Sequence, residues 1–329
     1  MNNNLRVASY ISCTYFCVIE GISFATRKRG KMKNEKTVTI DLETARKTLQ
    51  EMNLIADFLF ASIMSYPEIC ERFSRLLVRI ILNYDVKNVR VTPQKVFYGS
   101  NTNTHGARLD VYIEEDADEL KVSEESLFDI ETEKKNDKIL VEALPRRVRF
   151  YHSKIDSMSL AAGVGYEKLK KVYVIMIMPF DPFGENHMIY TIRSRCEELP
   201  DMPYDDGART IFLYTRGKLG NIPQQLRELL EYMEQTNEEN AANDELREIH
   251  RMVEAVKKDE EVSKDYMKAY EKEQMLLRQG REEGKGEERE SLLFELLREG
   301  EISEKVAAAK LNITQEQLRE KIENQVYGQ

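Results

Sequence analysis

The chain predicts an α/β fold with a helical C-terminal extension, and three observations predict it. Residues 38–83 carry apolar side chains at helical spacing, and from about Lys87 to Tyr214 the pattern changes to short runs with strand periodicity. After Pro223 no further proline occurs, and Glu, Lys, Arg, Leu and Gln dominate. Over 329 residues, a 41% hydrophobic share supports a core, while a 33% charged share places part of the chain outside a compact globule.

Residues 1–35 are expected to be a non-core extension. Residues 7–24 are apolar enough to resemble a weak signal-peptide core, but Glu20 interrupts them and the basic cluster from Arg27 to Lys31 lies on the wrong side. Met32 is the expected true start. In the helical region Leu42, Ala45, Leu49 and Met52 recur on one face of a first helix, and Ile69, Phe73, Leu76, Leu77 and Ile80 on one face of a second. Pro67 suits a first turn, with Ser65 and Glu68 spaced as a capping box.

The strand-type runs are Val89 to Val91, Val96 to Tyr98, Arg108 to Ile113, Phe128 to Glu133, Val172 to Met178 and Ile211 to Tyr214. Between the fourth and fifth, a helix is expected to begin near Pro145, with Tyr151, Ile155 and Met158 on one face. The run Val172 to Met178 does not alternate, so it predicts an inner strand covered on both faces.

In the tail, Leu246, Ile249, Val253 and Val256 form a narrow apolar stripe, suited to packing on a domain or on a coiled-coil partner. Gly280, Gly284 and Gly286 predict a hinge or linker, since glycine weakens a helix interior. Beyond them Leu292, Leu293, Leu296 and Leu297 share a face, and residues 306–318 read as helix, tight turn, helix with Thr314 as N-cap. That pattern fits either a helix-turn-helix in contact with DNA or a helical hairpin for self-association. Glu316, Glu320 and Glu323 against Arg319 and Lys321 weigh toward the second.

Chemistry concentrates in two of the strands. In Arg108-Leu109-Asp110-Val111-Tyr112-Ile113 and Phe128-Asp129-Ile130-Glu131-Thr132-Glu133 the carboxylates occupy the polar parity. Paired as a hairpin, the strands gather Asp110, Asp129, Glu131 and Glu133 on one face, where Asp110 and Glu131 can hold a divalent cation. The competing reading is a solvated strand face, since the loop Glu114 to Glu119 is equally acidic. Arg146, Arg147 and Arg149 follow close behind and are candidates for neutralising a phosphate backbone or for pairing with the carboxylates.

The formal net charge of −9 argues against a protein that coats nucleic acid by bulk electrostatics, yet leaves room for a local basic face. Cys13, Cys17, Cys70 and Cys196 have no zinc-type spacing, and the four histidines are scattered. A reducing cytosol and no membrane partner are expected.

At these residues the chain resembles the PD-(D/E)XK nuclease-like family of transposases and recombination-promoting nucleases. The resemblance runs through Arg108 to Tyr112, Asp129-Ile130-Glu131, Leu144-Pro145-Arg146-Arg147 with Tyr151, Tyr166 with Leu169, and Pro179 to Gly184. It continues through Arg195-Cys196-Glu197 and Ile211 to Gly217, covering roughly residues 45–285.

The resemblance implies a restriction-endonuclease-like mixed sheet flanked by helices; that domain is expected over 36–235, and composition and periodicity place a charged helical segment and linker over 236–290 and a small helical module over 291–329. It implies a DNA endonuclease dependent on Mg²⁺ (or Mn²⁺) in a bacterial cytoplasm, with Asp110 and Glu131 as catalytic metal ligands and double-stranded DNA as partner. With such a substrate, Arg146, Arg147 and Arg149 are the expected backbone contacts, and the C-terminal helices, read from their own pattern, are a candidate surface for homo-oligomers. The family usually has Gln or Lys two residues after the second acid. Here Glu133 stands there, and an ionised carboxylate donates no hydrogen bond, so it becomes a further ligand, passes the role to Lys134 or Lys135, or marks a silent DNA-binding or assembly protein.

Overall fold

The structure, a computed structural model, describes residues 39–86, 89–97, 106–115, 126–133, 136–298 and 302–327. The N-terminal extension, most of the acidic loop and Lys134–Lys135 lie outside the described residues. Asp41 to Met267 form one compact unit, and the chain from Lys268 onward belongs to a second.

The first unit opens with three helices, α1 (Leu42–Glu51), α2 (Asp57–Met64) and α3 (Pro67–Leu82). Asp41 caps α1 by accepting from the Thr44 N–H. The two expected helices are three, because the chain breaks between Met52 and Ala56, where Asn53 and Leu54 bond instead to Thr236. α2 is buried nearly all round, from Phe58 to Met64, and carries no single apolar stripe. The capping box at Ser65 and Glu68 does not form. Tyr66 is the N-cap of α3, without a side-chain bond, and the Ser65 hydroxyl turns back to the Ser62 carbonyl.

A six-stranded mixed sheet follows, in the order β1-β2-β3-β4-β6-β5. β1 (Val89–Phe97), β2 (Ala107–Glu115) and β3 (Ser126–Thr132) are antiparallel neighbours. β4 (Lys171–Met178) lies parallel to β3, β6 (Ala208–Tyr214) parallel to β4, and the short edge strand β5 (Ile189–Ile192) antiparallel to β6. The hairpin of β2 and β3 has Val111 opposite Ile130 and Tyr112 opposite Asp129. In β4, Val174 and Met176 on one parity and Ile175 and Ile177 on the other are all fully buried, as the unalternating run predicts.

α4 (Lys138–Ser159) crosses from β3 to β4 and packs Leu144, Val148 and Ile155 against Leu127, Val172, Val174, Met176 and Phe212. It starts seven residues before Pro145, not at it. Asp137 is the true cap, accepting from the Ile139 and Leu140 N–H groups, and Pro145 sits inside the helix. A proline there forfeits one backbone bond, which burial of the three apolar side chains offsets. α5 (Gln224–Glu234) and α6 (Asp244–Lys257) complete the unit. The α6 stripe, Leu246 to Val256, is fully buried, so it packs on its own domain.

α7 (Glu260–Arg298) runs unbroken through Gly280, Gly284 and Gly286, where an interruption was expected. A Cβ built at Gly280 or Gly284 meets nothing within 4 Å. Alanine at both positions is therefore expected to raise the helical unfolding midpoint, by about 0.5–1 kcal/mol per site. A lower midpoint, followed by circular dichroism, would show that these glycines serve a contact or a bend. In the second unit Phe294, Ala307, Ala308 and Leu318 form a small core that unites the end of α7 with α8 (Glu304–Leu311) and α9 (Gln315–Tyr327). Asn312 turns the chain in the left-handed region, and Thr314 and Gln317 exchange bonds as a capping box. No helix among the described residues is long and apolar enough to cross a membrane.

Candidate active site

The acidic strands meet where the sheet opens. On the β1 side Gln94 adopts a positive φ of 53°, and the paired register passes from Pro93 opposite Val111 to Lys95 opposite Leu109. On the β3 side the ladder ends at Val111 and Ile130, and the Asp110 N–H donates to Glu131 Oε1 at 2.8 Å. Asp110 is thus released from backbone pairing on both sides, with Glu131 held directly against it.

This face is not a solvated one. Asp129 is 0% exposed and Glu131 5%, because Asp129 lies beside Val174 and Glu131 beside Met176 on β4. Burial drives the Asp110 carboxyl from 3.8 to about 6, and the neighbouring Asp57 charge adds to the rise. Burial also raises Asp129 and Glu131 well above the usual carboxylate range, with the Asp110 charge the next cause for both. Neither Asp129 oxygen has a donor. The one bond open to it is with the Glu131 carboxyl, and two carboxyls bond only through a shared proton.

Arg147 supplies positive charge to this cluster. From the third turn of α4 it pairs with Glu133, Nη1 to Oε2 at 2.9 Å, and its guanidinium lies 5.8 Å from the Tyr151 ring. Burial alone would lower its pKa, but Tyr151, Glu131 and Glu133 outweigh that and hold it charged. Its Nε is buried with no acceptor. The three arginines of the sequence are therefore separated: Arg147 turns inward to the carboxylates, while Arg146 and Arg149 are exposed. Glu133, just beyond β3, is ion-paired rather than standing free beside Asp110.

Asp57 and Gln94 were not singled out by the sequence. Asp57, at the first position of α2, accepts from the Thr132 hydroxyl at 3.3 Å and places its charge near Asp110. An acid in a helix first turn has an ordinary reason to be there. The only signal in the sequence was a lone acid at the head of the apolar run Phe58 to Met64.

Among the described residues no three His, Cys, Asp or Glu side chains are disposed to hold one ion. Two carboxylates nevertheless suit Mg²⁺, which usually keeps several waters and takes only one or two protein carboxylates alongside substrate phosphate. Crowded acids held above their usual pKa, one of them with no donor, fit a cation better than they fit each other.

The same crowding predicts a stability effect. The carboxyl pKa values are raised on folding, so between about pH 4 and the folded values the native chain holds more protons than the unfolded one, and metal-free stability falls as pH rises. Asp129→Asn, which removes one charge and can donate to Glu131, is expected to raise the metal-free midpoint at pH 8 by about 2–4 °C, roughly 1 kcal/mol. The advantage should shrink toward pH 4. A wild type that outlasts the variant at pH 8 would contradict this charge assignment.

Residues 54–196 match the model of the PD-(D/E)XK nuclease family transposases. No curated protein and no solved structure matches the chain. The matched segment holds Asp57, the acids of β2 and β3, and all of α4, within a mixed sheet flanked by helices consistent with the restriction-endonuclease-like α/β fold. By that match, and with that sheet, the segment 54–196 is similar to the PD-(D/E)XK nuclease family of transposases.

Proposed function

We propose that the chain is a DNA endonuclease dependent on Mg²⁺ or Mn²⁺, with Asp110 and Glu131 as the ligands of the ion. The observation that carries this reading is the placement of the buried Glu131 carboxylate against half-buried Asp110, whose backbone N–H it accepts, at the point where β2 leaves its ladders. Bound there, a divalent ion would acidify its water and draw charge from the scissile phosphate. Asp110 and Glu131 fix its position from two adjacent strands, and the apolar neighbours Val174 and Met176 limit water at their backs.

Arg147 has two tasks in this reading. Its Nη1 holds Glu133 in place, and its unpartnered Nε offers a hydrogen bond to a phosphoryl oxygen, which the ionised Glu133 cannot. Glu133, restrained by that pair, is an acceptor able to orient the attacking water. Arg146 and Arg149, exposed three residues apart, are assigned to the DNA backbone.

A second reading, a silent nuclease-fold protein that binds DNA or assembles through its C-terminal helices, is favoured by Glu133 at the position where relatives carry a donor. Incubation of the purified chain with supercoiled plasmid separates the two. The endonuclease yields nicked or linear product in Mg²⁺ and none in EDTA. Salt-sensitive DNA binding with no product in Mg²⁺ or Mn²⁺ selects the silent protein, and absence of both overturns the DNA reading altogether.

A further inference from the structure

Gln94 is the one residue of β1 with a positive φ, 53°, a conformation that side chains other than glycine and asparagine seldom adopt. It lies within a strand, next to Pro93, and opposite Asp110 in the register that β1 and β2 share on either side. The backbone turn carries the Gln94 side chain to two charged groups. Its Oε1 accepts from Arg108 Nε at 2.6 Å, and its Nε2 reaches Asp110 Oδ1 at 3.5 Å, the outer limit of a hydrogen bond. A guanidinium only donates, so Arg108 settles which end of the amide is which, and the NH₂ group faces the carboxylate.

We propose that Gln94 is a positioning residue for the metal-binding carboxylate: it turns the Asp110 carboxyl toward Glu131 by holding one of its oxygens from the edge strand. The inference rests on the assignment of Asp110 as a ligand. It explains why a strained glutamine stands in mid-strand at this level. No ladder partner faces Asp110 on either side; its carboxyl accepts from the Thr132 N–H, and the Arg108–Gln94–Asp110 chain adds a second hold from the edge strand. Partners of this kind set ligand direction and contribute to metal affinity without touching the metal.

Two variants separate positioning from mere folding. Gln94→Gly removes the amide and accepts the positive φ without strain, while Gln94→Leu removes the amide at similar size. Calorimetric titration of the full chain with Mn²⁺ should give affinity about 10-fold weaker or more in both variants than in wild type. The unfolding midpoint of Gln94→Gly should be no lower than that of wild type. Mn²⁺ affinity in both variants equal to wild type overturns the role of Gln94 while leaving the carboxylates in place. A wild type that binds no Mn²⁺ overturns the metal reading itself, and the role of Gln94 with it.

Discussion

Replacing either Asp110 or Glu131 with alanine is expected to lower the rate of Mg²⁺-dependent plasmid cleavage by about 10³-fold or more. The two carboxylates are opposed across adjacent strands, with Glu131 bonded to the Asp110 backbone, so neither can stand in for the other. Stabilisation of developing charge by a bound cation contributes several kcal/mol, and about 4 kcal/mol corresponds to three powers of ten in rate. The loss should come without unfolding. Asp110 and Glu131 are raised-pKa acids in a crowded site, so removing one relieves repulsion. Full cleavage by both variants would place the chemistry elsewhere.

Arg147 carries the second large effect. Arg147→Met is expected to reduce cleavage by about 10²–10³-fold, the cost of losing a preorganised donor to a charged reacting group. Arg147→Lys keeps the charge but not the planar fork, and should recover part of the rate and not all of it. The methionine variant also leaves Glu133 without this partner in a mostly buried setting, with side-chain exposures of 28% for Arg147 and 15% for Glu133. Stability should fall by about 1–3 kcal/mol, below the range for a fully buried pair because solvent still reaches both groups. Cleavage unchanged in Arg147→Met would reduce Arg147 to a structural partner of Glu133.

The sequence disclosed those parts of the fold that repeat locally. Alternation in Arg108 to Ile113 and in Phe128 to Glu131 foretold the hairpin, and the uniform run Val172 to Met178 foretold an inner strand. Strand β5 was missed because four residues, partly exposed at an edge, carry no periodic signal. Pro145 misled because proline more often opens a helix than sits inside one, while the real cap, Asp137, is a single polar residue among many. The hinge read from Gly280, Gly284 and Gly286 treated a modest propensity cost as decisive, although a long helix absorbs it.

The candidate site divides in the same way. Asp110 and Glu131 were visible because parity in a strand is local. The inward turn of Arg147, the approach of Asp57 from α2 and the reach of Gln94 from β1 arise only when distant segments are brought together. Helical spacing placed Arg146, Arg147 and Arg149 within one turn but did not say which of them meets Glu133. Burial was equally hidden: the same acidic pattern would read identically on an exposed sheet, and only the covering by α4 makes these acids costly.

The central claim is that Asp110 and Glu131 together hold a divalent ion. Calorimetric titration of Mn²⁺ into wild type and into the Asp110→Ala/Glu131→Ala double variant tests it without reference to any substrate. Saturable binding in wild type that disappears in the double variant is the predicted result; equal binding in the two proteins, or none in wild type, would contradict it.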